Sequence, residues 1–479
     1  MTADEKGVVF VTQHYPPDKG GNATRIHDIA THLGDDWKVT VLAPPPSYPP
    51  GTFERSWGRK QTDSDESVTT HRLWTWQPQT ENPGMGQRLA YYLLFGLHAM
   101  VWLLWNVRRY DIVVTTTPPI STGAPGFLAR FLGKSWVVDV RDRWIDASIS
   151  LGYLEEGSLI ERLSRRFQRL VLHTADRIAV TTPVLGEAIQ QTYGASLGEK
   201  TVLVPNGVDV RRFQTGQDRI EEHQPSDKQT SEHQSKCDRA RKHQSERGQT
   251  GEHHTRADRR RKRRTTNGGP PDTETGLLDV SRDGTAGADA DASGDGDEVT
   301  LIYTGNLGSA QDLESVIRAM RHLPEEVSLL LVGGGDVESE LRQLTDDLGL
   351  QERVEFAGVV PREDVPEFLN DASLGIAPLK STDELAYAIP TKVYEYMASG
   401  LPTVVTGRGE IEQFVDDSGG GVHVENDPEH IARRLDELLE DDQHRRQLAE
   451  RGQEYVETNY DRKAIARRFG DELRTLLKD

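Results

Sequence analysis

The sequence predicts an α/β protein with two domains, each built on a mostly parallel sheet. Short apolar runs of strand length alternate with helical patterns in both halves of the 479-residue chain, and this alternation is typical of parallel βαβ units. A long polar segment separates the two halves. We therefore expect domains at residues 1–213 and 299–455, an insert at 214–298, and a C-terminal helix at 456–479 that packs back on the first domain.

The composition indicates a protein of the cytoplasm. A formal net charge of −20 and a pI near 5.3 argue against a general nucleic-acid binder. The lone cysteine, Cys237, excludes an internal disulfide framework and a zinc site with several cysteines. The polar, acidic residues 1–7 do not resemble a secretory signal peptide. We therefore expect a cytoplasmic protein.

The first strand of the chain leads into a glycine loop. Residues 8–11 form a short apolar run, Gly20 and Gly21 follow, and residues 22–33 have helical spacing. Glycines let the backbone approach a ligand closely, and a helix start supplies free N–H donors, so this arrangement can hold a phosphate. A tight turn without a ligand explains the same residues.

An almost wholly apolar stretch lies at residues 89–105, between Arg88 and the pair Arg108 and Arg109. Three interpretations stay open: a buried helix of the α/β domain, a helix on a membrane surface, and a membrane span. The stretch is at the short end of what a bilayer requires. The aromatic and basic residues at its ends favour an interfacial position over a plain core helix.

A charged cluster follows the predicted strand at residues 136–140. Arg141 and Asp142 stand where that strand ends, and open parallel sheets bind their ligands at the carboxyl ends of their strands. We predict that these two residues face a ligand bound at that edge of the sheet. The alternative is an ion pair that only shapes the loop.

The polar segment at 214–298 is predicted to be disordered. Its histidines recur every ten residues within near-copies of Glu-His-Gln, and a basic run at 259–264 follows. Such a low-complexity repeat cannot bury a core. Metal binding by the histidines and phosphate or nucleic-acid binding by the basic run are minority interpretations. The pair Asp289 and Asp291 matches an Asp-x-Asp pattern, but it does not follow a strand.

The second domain repeats the combination of strand and glycine loop twice. The strand at 299–303 ends in a loop with Gly305 and Asn306, and the strand at 328–332 ends in three glycines that include Gly334. Two such loops on one edge of a sheet indicate a phosphate site far more strongly than either loop alone.

The organising feature of the second domain is a short helix at residues 390–400. Lys392 and Glu395 lie three residues apart and share a face near the positive end of this helix. A cation and a carboxylate at a helix start beside a sheet suit a nucleotide diphosphate. A solvated surface pair is the alternative.

Taken together, these motifs resemble the family 4 glycosyltransferases, which are retaining enzymes of the GT-B fold that use nucleotide-sugar donors. The resemblance covers nearly the whole chain except the insert. The residues that carry it, in chain order, are Gly20-Gly21, Val204-Pro205-Asn206-Gly207-Val208-Asp209, Tyr303-Thr304-Gly305-Asn306-Leu307, Val332-Gly333-Gly334-Gly335, Phe356-Ala357-Gly358 and the run from Lys392 to Pro402. The apolar helix, Pro118-Pro119 and the segment from Val140 to Trp144 resemble the branch that acts on lipid-linked or surface-polysaccharide acceptors.

The resemblance implies specific donor contacts. The family usually carries Glu-x7-Glu, and Glu395 matches the second position, which binds the donor ribose. The first position is Tyr387 in this chain. Many members hold the diphosphate with an arginine and a lysine in the loop where this chain has Asn306 and Gln311. Lys392, helped by Lys380, would then supply the positive charge.

The function implied is transfer of a sugar from a UDP- or GDP-sugar to an acceptor hydroxyl, with retention of anomeric configuration. Asp142 and Arg141 would be the catalytic residues across the cleft, near the acceptor, where Asp142 takes or orients the acceptor's proton. The partners are a nucleotide-sugar donor, a glycan or lipid-linked acceptor, and the membrane surface at the inner face of the cell membrane. No metal or other cofactor is expected, because helix starts, glycine-loop amides and Lys392 can stabilise the leaving diphosphate. Two alternatives are a sugar-nucleotide 2-epimerase and a non-catalytic nucleotide-sugar-binding subunit of a membrane complex.

Overall fold

The computed structural model contains two sheets, the first mostly parallel and the second wholly parallel. It describes residues 6–18, 21–48, 53–55, 60–64, 68–78, 84–150, 152, 154–214 and 299–477. The predicted insert at 214–298 lies outside the described residues from residue 215 onward, together with its histidine repeat and basic run. Gly20 also lies outside them. These predictions therefore stay predictions.

The N-terminal sheet has eight strands. They are β1 (Lys6–Val11), β2 (Trp37–Ala43), β3 (Lys60–Ser64), β4 (Val68–Leu73), β5 (Ile112–Thr117), β6 (Ser135–Val140), β7 (Arg177–Val180) and β8 (Thr201–Leu203). Their order is β3-β4-β2-β1-β5-β6-β7-β8, and all neighbours are parallel except the pair β3 and β4. The direction in which strands are added reverses between β1 and β5, and parallel sheets bind ligands at the carboxyl ends beside such a reversal.

Helices cover both faces of this sheet. They are α1 (Gly21–His32), α2 (Met85–Asn106), α3 (Gly123–Phe131), α4 (Trp144–Ser150), α5 (Leu159–Thr174), α6 (Pro183–Tyr193) and the short α7 (Val210–Phe213). Side chains of β1 alternate between the two faces, as strand geometry requires. Val8 and Phe10 pack with α1, whereas Val9 and Val11 pack with α2.

The C-terminal sheet has six strands, all parallel. They are β9 (Val299–Thr304), β10 (Val327–Val332), β11 (Val354–Gly358), β12 (Leu374–Ala377), β13 (Thr403–Val405) and β14 (Gly421–His423). Their order is β11-β10-β9-β12-β13-β14. The reversal lies between β9 and β12, so the predicted loop at Gly305 opens onto it.

The helices of the second half complete the α/β pattern. They are α8 (Leu313–Ala319), α9 (Glu338–Asp347), α10 (Val365–Asn370), α11 (Thr391–Ala398), α12 (Glu410–Ser418), α13 (Pro428–Glu440), α14 (Asp442–Asn459) and α15 (Arg462–Thr475). The last helix packs against α1, and its Ile465 and Phe469 join the core formed with Val8 and Ile26. The last described helix thus packs on the N-terminal domain, but it begins at Arg462 rather than at the predicted residue 456, which belongs to α14.

The apolar stretch predicted at 89–105 lies within α2, which is longer than predicted and is only half buried. Phe95, Ala99 and Leu103 are fully buried against the sheet, whereas Leu97 is 53% and Trp105 is 81% exposed. In the described part of the chain, α2 alone has the length and apolar composition that could cross a membrane, a test that core helices of soluble proteins also pass. The helix therefore combines a core face with an exposed apolar face.

Candidate active site

Helix α11 supplies the central residues of the candidate donor site. The helix begins after Pro390, as predicted, and its residues from Lys392 to Ala398 are all buried. Val393 and Met397 pack into the core beside β12 and β13. Because this apolar side fixes the helix, Lys392 and Glu395 are held in place rather than solvated. The interpretation as an exposed surface pair is therefore wrong.

Lys392 is a buried cation without a carboxylate partner. Its Nζ atom lies 3.5 Å from the centre of the Tyr303 ring, and within the described residues it makes no ion pair or hydrogen bond. Burial lowers the pKa of Lys392 well below its ordinary value, and the nearby charge of Glu395 opposes this only in part. A cation in this state gains stability from any anion that enters the site.

Glu395 already has a partner. Its Oε1 atom accepts a hydrogen bond from Nη2 of Arg362 at 2.7 Å, and only 9% of the Glu395 side chain is exposed. Arg362 follows β11 and was not predicted from the sequence, because nothing in its loop indicates where that side chain points. The structure thus adds a residue to the candidate donor site.

The predicted glycine loops meet at the carboxyl ends of β9 and β10. The amide of Gly305 donates to the Val332 carbonyl at 2.8 Å, and the amide of Leu307 donates to the Gly334 carbonyl at 3.0 Å. A Cβ atom on Gly333 would lie 1.8 Å from the Gly305 carbonyl oxygen, so only glycine permits this approach. The sequence prediction that the two loops share one edge is confirmed.

The loop after β9 also lies beside Lys392. A Cβ atom on Gly305 would be 3.5 Å from Lys392 Nζ, and Gly305 has a φ of +118°. The backbone carbonyl of Asn306 accepts a hydrogen bond from the Tyr303 hydroxyl at 2.5 Å. Gly305 and Asn306 are thus brought next to the buried cation.

The N-terminal half reaches the same place through the start of α1. A Cβ atom on Gly21 would lie 3.4 Å from Cγ2 of Thr391, the first residue of α11. Two helix N-termini therefore converge from the two sheets, and each carries free N–H groups and a partial positive charge. This convergence beside Lys392 makes an anion site across the cleft.

Asp142 and Arg141 lie after β6, as predicted, and both have buried polar atoms that lack hydrogen-bond partners. Within the described residues Asp142 Oδ1 and Arg141 Nε and Nη1 have no hydrogen-bond partner although they are buried, while Arg141 Nη2 donates to the Pro118 carbonyl at 3.1 Å. Burial raises the pKa of Asp142 to about 6, against the opposing charge of Arg141. These groups make no ion pair with each other, so the interpretation as a loop-shaping ion pair is wrong.

Tyr387, at the position eight residues before Glu395, contacts the N-terminal half of the chain. Its hydroxyl accepts a hydrogen bond from the Arg143 amide at 3.2 Å, and its carbonyl accepts one from the Thr182 hydroxyl at 2.8 Å. The ring packs in a cluster with Val140. Tyr387 therefore links the second sheet to the loop that carries Asp142.

Among the predicted donor residues that the structure describes, Lys380 is the one with no observed contact to the others. It lies in the loop after β12, and its amide donates to the Ala310 carbonyl at 3.1 Å. Its side chain is exposed and forms no ion pair with the described residues. Where the structure describes the chain, no group of three or more His, Cys, Asp or Glu side chains could hold a metal ion.

Two Rossmann-like domains with glycine loops and helix starts facing one cleft define the class of GT-B proteins. The model for glycosyl transferase 4-like domains matches residues 20–207, and the model for group 1 glycosyl transferases matches residues 289–455. The two matches together cover most of the chain. The chain therefore belongs to family 4 of the glycosyltransferases, and the resemblance found in the sequence is confirmed.

Individual relatives agree with this family. The lipopolysaccharide core biosynthesis glycosyltransferase LpsE of Rhizobium meliloti is 31% identical over 170 residues, which are 35% of this chain and 48% of that protein. The match thus spans about half the relative's length. WcaI of Escherichia coli, named for colanic acid biosynthesis, is 22% identical over 387 residues and covers 78% of this chain and 76% of its own length.

Solved structures agree with this fold. A sucrose-phosphate synthase from Thermosynechococcus elongatus has a TM-score of 0.66 at 17% identity, covering 99% of this chain and 100% of that one. Anabaena HepE in complex with UDP-glucose has a TM-score of 0.60 at 15% identity, covering 98% and 99%. The predicted GT-B fold is confirmed.

Proposed function

We propose that this protein is a retaining glycosyltransferase that moves a sugar from a UDP- or GDP-sugar to an acceptor hydroxyl during assembly of a glycan, glycolipid or surface polysaccharide. The observation that carries this proposal is the convergence of the N-termini of α1 and α11 beside the unpartnered cation Lys392. A nucleotide diphosphate is the ligand whose charge this arrangement complements. The UDP and UDP-glucose bound to Anabaena HepE support a donor of this kind.

The donor-binding roles follow from this geometry. The diphosphate lies between the start of α1 and the start of α11, where Lys392 and the amides near Gly305 and Gly334 neutralise its charge. Glu395 accepts hydrogen bonds from the ribose hydroxyls. This charge stabilisation comes from the protein, so we propose that transfer does not require a divalent metal ion.

The acceptor side uses the loop after β6. The bond between the sugar C1 atom and the diphosphate oxygen breaks, a bond from C1 to the acceptor oxygen forms on the same face, and the acceptor proton passes to Asp142. An ionised carboxylate with an unpaired oxygen and a pKa near 6 can accept that proton at neutral pH. Arg141 holds the acceptor with its two unpaired nitrogens.

The test combines a binding screen with product analysis. UDP- and GDP-sugars are screened for an increase in melting temperature of the full chain, because a ligand that binds only the native state stabilises it. The stabilising donor is then incubated with lipid-linked and glycan acceptors, with and without EDTA. We expect a product with the donor's anomeric configuration in both conditions. An inverted product, or loss of transfer with EDTA, contradicts the corresponding part of the proposal.

A non-catalytic nucleotide-sugar-binding subunit is a second candidate, and Tyr387 is the observation in its favour. The tyrosine stands where the resemblance leads us to expect a carboxylate, and it is used in a contact between the two sheets. Donor binding without turnover on any acceptor would favour this candidate. Conversion of the donor sugar in the absence of an acceptor would favour the 2-epimerase.

We also propose that α2 contacts the inner face of the cell membrane. Its outward side exposes Leu93, Leu97 and Trp105, and Arg108 and Arg109 follow directly as exposed cations. Apolar side chains bordered by arginines suit an anionic bilayer surface, even in a chain with a net charge of −20.

Sedimentation with vesicles that contain anionic lipid tests this contact. The double substitution Leu93→Glu and Leu97→Glu should reduce the fraction of protein bound to the vesicles several-fold. The control is Leu203→Glu, since Leu203 is an exposed leucine on the distant edge strand β8. Equal binding of all variants would contradict the membrane contact.

A further inference from the structure

We infer that Arg362 is a positioning residue that holds the Glu395 carboxylate in the orientation that binds the donor's ribose hydroxyls. This inference rests on the proposed function, because it assigns a task within the nucleotide-sugar site. It adds a residue that lies outside every sequence motif. It also predicts that the chain distinguishes ribose from deoxyribose through an ion pair.

The ion pair has the geometry of a fixed contact. Nη2 of Arg362 donates to Oε1 of Glu395 at 2.7 Å, and the two side chains are 33% and 9% exposed. Charge-assisted hydrogen bonds of this length are among the strongest in proteins. One oxygen of the carboxylate is therefore occupied, which fixes the direction in which the second oxygen can accept a hydrogen bond.

Two other cations near Glu395, Lys392 and Arg462, have contacts of their own. Lys392 lies three residues earlier on the same helix, but it sits over the Tyr303 ring and does not pair with the carboxylate. Arg462 is engaged with Asp28 and with the carbonyl oxygen of Asn206 at 3.0 Å. Only Arg362 among these cations orients Glu395.

The guanidinium of Arg362 can also donate a further hydrogen bond. Its Nε atom is buried and has no hydrogen-bond partner among the described residues. Burial, with a smaller contribution from the positive charge of Arg362, lowers the pKa of Arg462. Among the described residues, the ion pair with Glu395 is the one that Arg362 forms, so this contact is the one through which Arg362 can act.

Calorimetry with paired ligands tests the inference. The full chain is titrated with whichever of UDP and GDP it binds, and with the 2′,3′-dideoxy form of the same nucleotide. If Glu395 binds the ribose hydroxyls, the dideoxy form binds about tenfold more weakly to the unsubstituted protein, as expected for loss of hydrogen bonds to a charged group. Arg362→Met should weaken binding of the ribonucleotide about tenfold and change binding of the dideoxy nucleotide less than threefold.

Two further variants keep this test interpretable. Arg362→Lys retains the charge and should recover part of the lost ribonucleotide affinity. The matched control is Arg318→Met, which breaks an exposed ion pair with Glu314 in the same domain and should leave both affinities unchanged. If the methionine variant does not fold, Arg362→Gln replaces it in the same comparison.

The outcomes separate this inference from the proposed function. Equal weakening of both ligands by Arg362→Met would overturn the inference, since Arg362 would then act on the diphosphate or on the fold. Unchanged ribonucleotide affinity would also overturn it. Binding of neither UDP nor GDP by the unsubstituted chain would overturn the proposed function and the inference with it.

Discussion

Two carboxylates, Glu395 and Asp142, have different surroundings: Glu395 is buried, whereas Asp142 is partly buried with a buried Oδ1 atom. Glu395 lies on α11 and is held by Arg362 at 2.7 Å. Asp142 lies after β6, has an unpaired Oδ1 atom, and has a pKa raised by burial to about 6. Glu395 is paired with an arginine, whereas Asp142 forms no ion pair among the described residues and the nearby charge of Arg141 offsets its burial only in part.

This difference indicates different tasks for two residues of the same chemical type. A carboxylate held by an arginine is suited to binding, because the hydrogen bond fixes its direction. A carboxylate left unpaired with a pKa near neutrality is suited to proton transfer. The partner of each carboxylate, and not burial alone, distinguishes the two.

The largest effect is expected for Asp142→Asn. The amide cannot accept the acceptor's proton, so kcat should fall about 10²- to 10⁴-fold, the range for loss of a general base. The KM for the donor should stay nearly unchanged, because Asp142 lies on the acceptor side. Steady-state kinetics measures both constants. A normal kcat would remove Asp142 from the mechanism.

The opposite pattern is expected for Glu395→Gln. The substitution keeps the shape of the side chain but removes the negative charge that pairs with Arg362 and that we propose binds the ribose hydroxyls. The donor KM should therefore rise about tenfold. The value of kcat should change much less. If this variant lost kcat instead, the division of tasks between the two carboxylates would be wrong.

The pH dependence sharpens the comparison further. Because burial raises the pKa of Asp142 to about 6, the ionised form that accepts a proton disappears as the pH falls below 6. The value of kcat should therefore decline about tenfold per pH unit below that point. The residual activity of Asp142→Asn should lack this decline, and a decline that persists in the variant would assign it to another group.

The smallest effect is expected for Tyr387→Phe. The phenyl ring keeps its place in the cluster with Val140, while the hydrogen bond from the Arg143 amide at 3.2 Å is lost. We expect a loss of about 0.5–1.5 kcal/mol in the free energy of unfolding and a several-fold lower kcat, because the loop that carries Asp142 is less well held. Chemical denaturation and kinetics check the two effects, and Tyr48→Phe provides an aromatic control.

Most of the fold could be predicted from the sequence, because alternating apolar runs and glycine loops are local patterns. The helix after Pro390, the loop at Gly305 and the strand before Arg141 lie where these patterns indicate. The antiparallel partner of β4 could not be predicted, because the residues of Lys60–Ser64 are all polar. Neither could the exposed outer face of α2, whose composition alone fits a core helix, a surface helix or a span.

The candidate site was less predictable, since it depends on contacts between distant residues. Arg362 lies 33 positions before Glu395, in a loop with no periodic pattern. Tyr387 was noticed only as a departure from the Glu-x7-Glu pattern, and its contact with Arg143 spans 244 positions. Residues of these two kinds become visible only when the strands have been placed in their sheets.

The most direct test of the account measures the affinity of the diphosphate for the converging helix starts. Calorimetry compares UDP or GDP with the corresponding nucleoside, using the unsubstituted chain, Lys392→Met and the exposed control Lys38→Met. We predict that Lys392→Met weakens nucleotide binding about 10- to 100-fold, leaves nucleoside binding unchanged, and that the control matches the unsubstituted chain. Equal nucleotide affinity in all three proteins would contradict the assignment of this site.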